Sequence, residues 1–340
     1  EEGKTILDLA ANEDFNYAAV DEMGKIIANE DSLTKHIEAI VSYPLVDIQA
    51  IKAANFSVVV DAINSSGAFS VPALLNAIGV SNIKVLNAEM TGNFAHNPEP
   101  LKENLTDLCN TVVKEKAHLG IAVDPDVDRL CFVSEDGELF GEEYTLVACA
   151  DYVLSKTPGN TVSNMSSSRA LRDITNKYNG SYQASAVGEV NVVELMKKTN
   201  AIIGGEGNGG IIYPESHYGR DSLVGVALFL THLANLDMTV SELRASYPQY
   251  YMSKNKIELT PQIDVDAILV AMTEKYKNDS STSSLSTIDG VKIDFAENWV
   301  HLRKSNTEPI IRIYTEAQTQ QLADSLAIRI IDEIKAVSGL

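Results

Sequence analysis

Three aspartates stand at alternating positions in the segment DPDVDR, residues 124–129. Carboxylates spaced in this way on a turn can converge their oxygen atoms on one point. Magnesium prefers oxygen ligands at about 2.0–2.1 Å and keeps water or phosphate in its remaining octahedral positions. Three protein oxygens leave such positions open, as catalysis requires. The spacing therefore predicts a magnesium site formed by Asp124, Asp126 and Asp128.

Two other uses of this acidic pattern are disfavoured by the neighbouring residues. A calcium EF-hand beginning at Asp124 would place Glu135 correctly at its twelfth position, but its sixth position must be glycine and is Arg129. A phosphatase of the haloacid dehalogenase type requires Thr or Val two residues after its second aspartate, where this chain has Asp128. A solvated acidic turn remains as the non-functional alternative.

A second loop, GGEGNGG at residues 204–210, follows an apolar strand. Glycines allow a ligand to approach the backbone closely, but the carboxylate of Glu206 would repel a phosphate dianion. Glu206 and Asn208 are instead suited to the hydroxyl groups of a sugar. A plain glycine turn is the alternative interpretation.

A third loop, RKSNTEP at residues 303–309, carries concentrated positive charge, and Arg312 follows it. The whole chain has a formal net charge of −20, so any anionic substrate requires a local basic cluster of this kind. The loop therefore predicts a phosphate clamp. A helix cap is disfavoured by Pro309 and by the strand-like residues 310–314.

The surrounding pattern predicts two α/β domains and a smaller C-terminal α+β domain. The first has strands at 56–60, 119–123 and 130–133, a turn at 64–67 and a helix at 71–78; the second has strands at 161–164 and 201–204 and helices at 142–154, 168–177 and 222–234. After 247–248 we expect a strand, a helix, three short strands and a helix at 319–337, with 278–287 as a surface loop.

Composition limits the partners and the compartment. The strong negative charge disfavours nucleic acid and membrane surfaces, and no apolar run reaches the ~18–20 residues of a membrane helix. Three cysteines without a paired motif predict neither disulfides nor a zinc site. The chain opens on Glu1 without an initiating Met, so we expect a cytoplasmic protein from which an upstream segment has been removed.

In their order and spacing, the three loops closely resemble those of the α-D-phosphohexomutase superfamily, which includes phosphomannomutases, phosphoglucomutases and phosphoglucosamine mutases. Members have four domains that bear, in order, a phosphoserine loop, a metal loop of DxDxDR type, a sugar loop and an R-x-SNTEP phosphate loop. No T-x-S-H-N-P phosphoserine loop occurs here, and its nearest match, 95–98, has alanine at the serine position. We expect 95–98 to be a loop of the second domain.

The resemblance implies these domains: 1–33, the tail of a missing first domain; 34–138, metal-binding; 139–248, sugar-binding; and 249–340, phosphate-binding. It implies an isomerase that interconverts hexose 1- and 6-phosphates of glucosamine, mannose or glucose through a phosphoserine and a hexose bisphosphate, with Mg²⁺ as cofactor. The phosphosugar is the expected partner, and the protein is expected to be a monomer or dimer. The substrate-binding residues implied are Gly188, Glu206, Asn208, Arg303, Ser305, Asn306, Thr307 and Arg312.

Two departures from the superfamily leave the acid/base residue open. The lysine of its D-V-K-x-T-R stretch is Ser166 in this chain, and its Gly-His pair is Gly188-Glu189. Arg129 and Glu189 are the catalytic candidates, with a plain surface carboxylate as the alternative for Glu189. Without the serine, these 340 residues are expected to bind substrate but not to turn it over. A non-catalytic phosphosugar-binding protein and a metal-dependent phosphatase remain alternative functions.

Overall fold

The protein is described here by a computed structural model, which covers residues 2–27, 31–258, 264–305 and 310–338. Two compact units are present, residues 1–36 and 37–340. The small unit begins with helix α1, Glu2–Ala11, none of whose residues is buried, and continues through an irregular segment with a short 3₁₀ helix at Val20–Glu22. The polar sequence of this segment agrees with the absence of buried side chains in α1 and with its irregular continuation. Helix α2 follows at Ser32–Ser42.

The first α/β domain of the larger unit surrounds a four-stranded sheet in the order β2-β1-β3-β4. The first three strands are parallel, and β4 runs antiparallel to β3. Strands β1, β3 and β4 are almost entirely buried because helices cover them, which explains their continuous apolar sequences. The bounds are α3 Ile48–Ala54, β1 Ser57–Asp61, α4 Gly67–Ala77, β2 Asn82–Leu86, α5 Thr106–Glu115, β3 Leu119–Val123 and β4 Leu130–Ser134.

The second α/β domain repeats this topology, which confirms the predicted α/β class. Its sheet has the order β6-β5-β7-β8, with three parallel strands and an antiparallel β8. Helix α9 is buried along most of its length, because it packs on α6 of its own domain and on α3 of the first α/β domain. The bounds are α6 Glu142–Lys156, β5 Asn160–Asn164, α7 Ala170–Lys177, β6 Tyr182–Ser185, α8 Glu189–Thr199, β7 Ala201–Glu206, β8 Gly210–Ile212, α9 Ser222–Leu236 and α10 Val240–Ser246.

The C-terminal domain is an antiparallel sheet in the order β10-β11-β12-β13-β9, which confirms the α+β class. One face packs on two helices through apolar side chains such as Ile293, Leu302 and Ile313. The opposite face carries polar side chains, including Lys292, which lies over the ring of Trp299. The bounds are β9 Tyr251–Glu258, α11 Val265–Lys277, β10 Thr282–Ser286, β11 Val291–Phe295, β12 Trp299–Lys304, β13 Ile310–Ala317 and α12 Gln320–Ser338.

Two sequence-based expectations about the elements are wrong. Residues 278–287 are not simply a surface loop, because Thr282–Ser286 forms the edge strand β10, and Ser and Thr side chains suit a strand that is partly open to water. Helix α4 begins at Gly67, four residues before the predicted start, because the turn at 64–66 leads directly into it. All three cysteines lie in the described part of the chain and are free.

No single described helix is both long and apolar enough to cross a membrane. One bent pair, Ser222–Leu236 with Val240–Ser246, meets the criterion by length and composition only.

Candidate active site

The acidic loop at 124–129 connects β3 to β4 at the carboxyl end of the first sheet. Hydrogen bonds from the neighbouring turn at 64–67 stabilise its conformation. The hydroxyls of Ser65 and Ser66 donate to the backbone oxygen of Pro125 at 2.8 and 2.6 Å. Val127 has a φ of 62°, which is unusual for a β-branched residue. The loop is therefore a constrained structure rather than a solvated acidic turn.

Oxygen atoms of Asp124, Asp126 and Asp128 all lie within 4.8 Å of one another. Asp124 is buried, and its Oδ1 accepts hydrogen bonds from the backbone N–H groups of Asp128 and Arg129, both at 3.0 Å. Burial, together with the charges of the other two aspartates, raises the pKa of Asp124 to about 7. This donor set of oxygens alone fits Mg²⁺. It does not continue as an EF-hand, because β4 begins at Leu130.

The glycine-rich loop at 204–210 forms the tight connection between β7 and β8. The Glu206 side chain is buried, and its Oε1 accepts from Asn164 Nδ2 at 2.8 Å and from the backbone N–H of Gly188 at 3.2 Å. The Asn208 side chain turns back to accept from the N–H of Gly210 at 3.2 Å. The Oε1 atom of Glu206 is thus held by two hydrogen bonds.

The basic residues of the third loop belong to neighbouring strands. Arg303 on β12 and Arg312 on β13 are directly paired across the antiparallel ladder, so their side chains share one face of the sheet. Ser305 is buried, and its backbone N–H donates to Ile310 O at 3.0 Å. The predicted ligands Asn306 and Thr307 lie outside the described residues.

One cavity of about 290 Å³ is lined by residues from all three loops. Arg129, Glu206, Asn208, Arg303 and Arg312 are the sequence-predicted site residues that line it. The cavity also contains side chains that the sequence analysis did not select. These additional lining residues include Glu142, Glu143, Ser166, Lys254 and Tyr314.

Two of these additional residues change the electrostatics of the cavity. The Lys254 ammonium lies 3.2 Å from a carboxylate oxygen of Glu142, which adds a cation on the side of the two arginines. Burial raises the pKa of Glu143 to about 8. Glu143 Oε2 accepts from the backbone N–H of Ser168 at 2.9 Å. A carboxyl group that can hold a proton at neutral pH therefore faces the cavity.

Arg220, which the sequence analysis missed, connects the acidic loop to the glycine-rich loop. Its guanidinium donates to Asp128 and, at 2.9 Å, to Glu206, and lies 3.6 Å from Glu189. No periodicity or motif marks this arginine, since it becomes significant only when the loops approach each other in the fold. Its position directly before Asp221, the N-cap of α9, is the one local signal.

The two remaining predicted positions lie at the start of α8. Gly188 has a φ of 116°, a conformation that favours glycine, and Glu189 is the first residue of the helix. The Glu189 side chain accepts from the backbone N–H of Arg220 at 3.0 Å and does not line the cavity. The 95–98 segment lies in a loop of the first α/β domain, where His96 Nε2 is 3.2 Å from Asp61 Oδ2.

Sequence comparisons match three successive domains of one family. The profile for the Phosphoglucomutase/phosphomannomutase alpha/beta/alpha domain II matches 34–137, that for alpha/beta/alpha domain III matches 141–251, and that for the C-terminal domain matches 258–333. The chain is 35% identical over 331 residues to a phosphoglucomutase/phosphomannomutase of Thermococcus kodakarensis, covering 96% of this chain and 71% of that protein. It is 34% identical over 344 residues to a phosphoglucosamine/phosphogalactosamine mutase of Sulfurisphaera tokodaii, covering 99% and 73%.

Solved structures share the fold. A phosphoglucomutase/phosphomannomutase family protein from Burkholderia thailandensis superposes with a TM-score of 0.79 at 23% identity, covering 98% of this chain and 69% of that one. N-acetylphosphoglucosamine mutase from Aspergillus fumigatus, in complex with GlcNAc-6P and magnesium, gives a TM-score of 0.61 at 14% identity, covering 92% and 67%. On the sequence matches, the chain belongs to the phosphoglucomutase/phosphomannomutase family of phosphosugar mutases, which are isomerases.

Proposed function

We propose that this protein interconverts the 1- and 6-phosphates of a hexose or hexosamine through a phosphoserine and a hexose bisphosphate. The main support for the proposal is that one cavity is lined by Arg129, Glu206, Asn208, Arg303 and Arg312 together. Such a cavity offers carboxylate and amide groups for ring hydroxyls at one side and guanidinium groups for a phosphate at the other. A substrate with both features is a phosphosugar.

In this proposal Arg303 and Arg312 hold the phosphate that is not transferred, because guanidinium groups bind phosphate oxygens bidentately. Ser305, Asn306 and Thr307 complete the clamp. Glu206 and Asn208 bind ring hydroxyls, with Gly188 beside them, and orient the sugar so that either the 1- or the 6-oxygen faces the acidic loop. Positioning of this kind supplies much of the catalysis in phosphoryl transfer.

Asp124, Asp126 and Asp128 would hold a Mg²⁺ ion, which supplies charge neutralisation for the transferring phosphoryl group. The magnesium in the Aspergillus mutase supports this choice of ion. Arg129 Nε, 3.6 Å from Asp124 Oδ2, adds positive charge at the same place. Glu143, whose pKa burial raises to about 8, is available to give a proton to the departing sugar oxygen and to take one back. Glu189, which contacts Arg220 instead of the cavity, is less favourably placed for that role.

The test is a ³¹P NMR assay of the protein with its natural upstream sequence. Glucosamine, mannose and glucose 6-phosphates are each supplied with Mg²⁺ and a catalytic amount of the corresponding 1,6-bisphosphate. We expect 1-phosphate to form without inorganic phosphate. Stoichiometric release of phosphate would instead indicate a phosphatase, and binding without conversion of any sugar would indicate a non-catalytic binding protein. A T-x-S-H-N-P loop encoded upstream is required by the proposal, and its absence there would overturn it.

A further inference from the structure

Arg220 contacts carboxylates from three separate elements. Its Nη2 donates to Oδ2 of Asp128 on the acidic loop, and its Nη1 donates to Oε2 of Glu206 on the glycine-rich loop at 2.9 Å. Its Nε lies 3.6 Å from Oε2 of Glu189 at the start of α8, and its backbone N–H donates to Oε1 of the same residue at 3.0 Å. One planar group thus joins the predicted cation site to the predicted sugar site.

The fold provides a specific place for this side chain. Only 14% of the Arg220 side chain is exposed. Gly210 passes so close that a Cβ atom there would lie 2.3 Å from Arg220 Cδ, so the adjacent loop leaves room for the arginine only because it has glycine. Asp221 Oδ1 accepts from the N–H groups of Leu223 and Val224 at 2.9 and 3.1 Å, which fixes the backbone beside Arg220.

Charge and rigidity together connect the two sites. The guanidinium and a divalent cation are both attracted to the negative charge of Asp128, so the arginine and the cation compete for this carboxylate. Because the two nitrogens belong to one rigid plane, a change in the contact with Asp128 also changes the contact with Glu206. Glu206 Oε1 is held independently by Asn164 and Gly188, which leaves Oε2 as the atom that responds to Arg220.

We propose that Arg220 is a positioning residue that couples occupancy of the Asp124, Asp126 and Asp128 cation site to binding of the sugar at Glu206. The inference rests on the proposed function. Cation binding displaces the guanidinium from Asp128 toward Glu206 and Glu189. This displacement changes the position of Glu206 Oε2, to which the sugar hydroxyls bind. By thermodynamic linkage, the sugar phosphate must change the affinity for the cation by the same factor.

The experiment measures Mn²⁺ binding by electron paramagnetic resonance and calorimetry, with and without glucosamine 6-phosphate and glucose 6-phosphate. It compares the natural protein with Arg220→Gln, Arg220→Lys and the control Arg172→Gln. Arg172 is an arginine of the same domain whose side chain is 39% exposed and pairs with Asp173 at 3.5 Å. Circular dichroism establishes that each variant is folded.

In the natural protein and in Arg172→Gln, we expect the sugar phosphate to change the Mn²⁺ dissociation constant by about fivefold or more. In Arg220→Gln, Mn²⁺ alone should bind about three to ten times more tightly, because its competitor for Asp128 is gone, and the sugar effect should disappear. Arg220→Lys keeps the charge but cannot bridge two carboxylates. It should bind Mn²⁺ within about twofold of the natural protein and also lose the sugar effect.

If Arg220 only supported the structure, Arg220→Gln would loosen the acidic loop. Mn²⁺ would then bind more weakly to the variant, not more tightly. Unchanged or weaker Mn²⁺ binding by a folded Arg220→Gln protein, or a sugar effect that persists in Arg220→Lys, would therefore overturn the inference. If neither sugar phosphate binds the natural protein, the proposed function fails for glucosamine and glucose phosphates. The Mn²⁺ affinities without sugar still decide in that case whether Arg220 competes for Asp128.

Discussion

At the scale of single residues, the acidic loop holds its carboxylates in a state that favours a cation. Asp124 is buried beside two further aspartates, and both its burial and their charges raise its pKa by disfavouring its ionised form. Each aspartate adds to the attraction for a divalent ion and to the repulsion in its absence. The same residues therefore serve ligand binding at the expense of stability.

Asp126→Asn tests this balance at the exposed member of the group. Loss of one carboxylate should weaken Mg²⁺ binding by about 100-fold, because second-shell changes alone commonly cost 10–100-fold. Without the cation, the melting temperature should be unchanged or slightly higher, since one repulsive charge has been removed. Calorimetry and thermal unfolding measure the two effects. Equal Mg²⁺ affinity in the variant and the natural protein would remove Asp126 from the cation site.

Sequence reasoning found the residues whose chemistry is visible locally. Asp124, Asp126 and Asp128 share one loop, so their spacing alone predicts convergence, and the structure brings their oxygens together. Arg220 and Lys254 are single cations in ordinary contexts, and they reach the site only through tertiary contacts. The position of Arg220 directly before Asp221, the N-cap of α9, is too weak a local signal to assign it a role, and Lys254 has no such signal.

At the scale of elements, the glycine-rich loop and the end of the acidic loop are in direct backbone contact. The N–H of Leu130, the first residue of β4, donates to Gly209 O at 3.0 Å. Gly209 has a φ of 91°, and a Cβ atom there would lie 2.4 Å from the backbone oxygen of Leu130. This close approach sets the separation of the two loops.

Gly209→Ala should therefore destabilise the protein by about 3 kcal/mol or more, because strain in φ and a backbone clash add. Gly92→Ala is the matched control. Gly92 also has a positive φ, 72°, but no atom lies within 4 Å of the position that a Cβ atom would take there. Only the backbone strain of about 1 kcal/mol should therefore destabilise this variant. Urea unfolding measures both free energies. Equal losses in the two variants would show that the clash is unimportant.

Helices α6, α7, α9 and the end of α10 meet at one buried carboxylate, Asp151. It accepts from Lys177 Nζ at 2.9 Å, from the Tyr178 hydroxyl at 2.8 Å and from the Tyr247 hydroxyl at 3.3 Å, and His232 Nε2 lies 3.5 Å away. Burial raises the pKa of Asp151, but these partners more than offset it and lower the pKa to about 2. The ionised form is thus the stabilising one.

This depressed pKa predicts an acid-sensitive contribution to stability. In the unfolded chain Asp151 titrates near 3.8. Above that pH its ionised form contributes about 2 kcal/mol to the free energy of unfolding, and this contribution is lost as the pH falls from about 4 to 2. Asp151→Asn should lower the free energy of unfolding at pH 7 and make it less sensitive to pH over that acidic interval. Urea titrations at a series of pH values test this. Parallel pH profiles for the two proteins would contradict the assignment.

The sequence patterns indicated the strands with long apolar runs and missed strands with mixed exposure. Strands β1, β3 and β4 were predicted because their residues are almost continuously apolar. Strands β2, β6 and β10, each at the edge of its sheet, have mixed exposure and no apolar run. Backbone pairing, which leaves no trace in composition, holds these strands in place.

At the scale of the whole molecule, the polar face of the C-terminal sheet docks on the second α/β domain. Arg169 donates from Nη1 to Ala296 O at 3.2 Å and from Nη2 to Asn298 O at 3.0 Å. The fully buried Glu316 accepts from the backbone N–H of Arg169 at 3.1 Å and from Trp299 Nε1 at 2.6 Å. The cavity depends on this docking, because Arg303 and Arg312 belong to the C-terminal sheet.

We continue to propose the domain limits 34–138, 139–248 and 249–340.

Arg169→Ala should destabilise the docked state by about 3 kcal/mol or more, because the buried carboxylate of Glu316 loses its nearest cation. We expect the C-terminal domain to become accessible to limited proteolysis at the junction near Pro248, and the affinity for phosphosugars to fall with it. The exposed Arg172, changed to Ala, is the control and should behave like the natural protein. Unaltered proteolysis and stability of Arg169→Ala would contradict this account of docking.

Trp299 is the single tryptophan of the chain, and its indole is fully buried between Lys292 and Glu316 at this docked face. Intrinsic fluorescence excited at the indole band therefore arises from one known position. Burial keeps that emission at short wavelength and shields it from dissolved quenchers, and separation of the sheet would move it to longer wavelength. The protein thus carries its own optical reporter of whether the strands that bear Arg303 and Arg312 are in place, without any attached label.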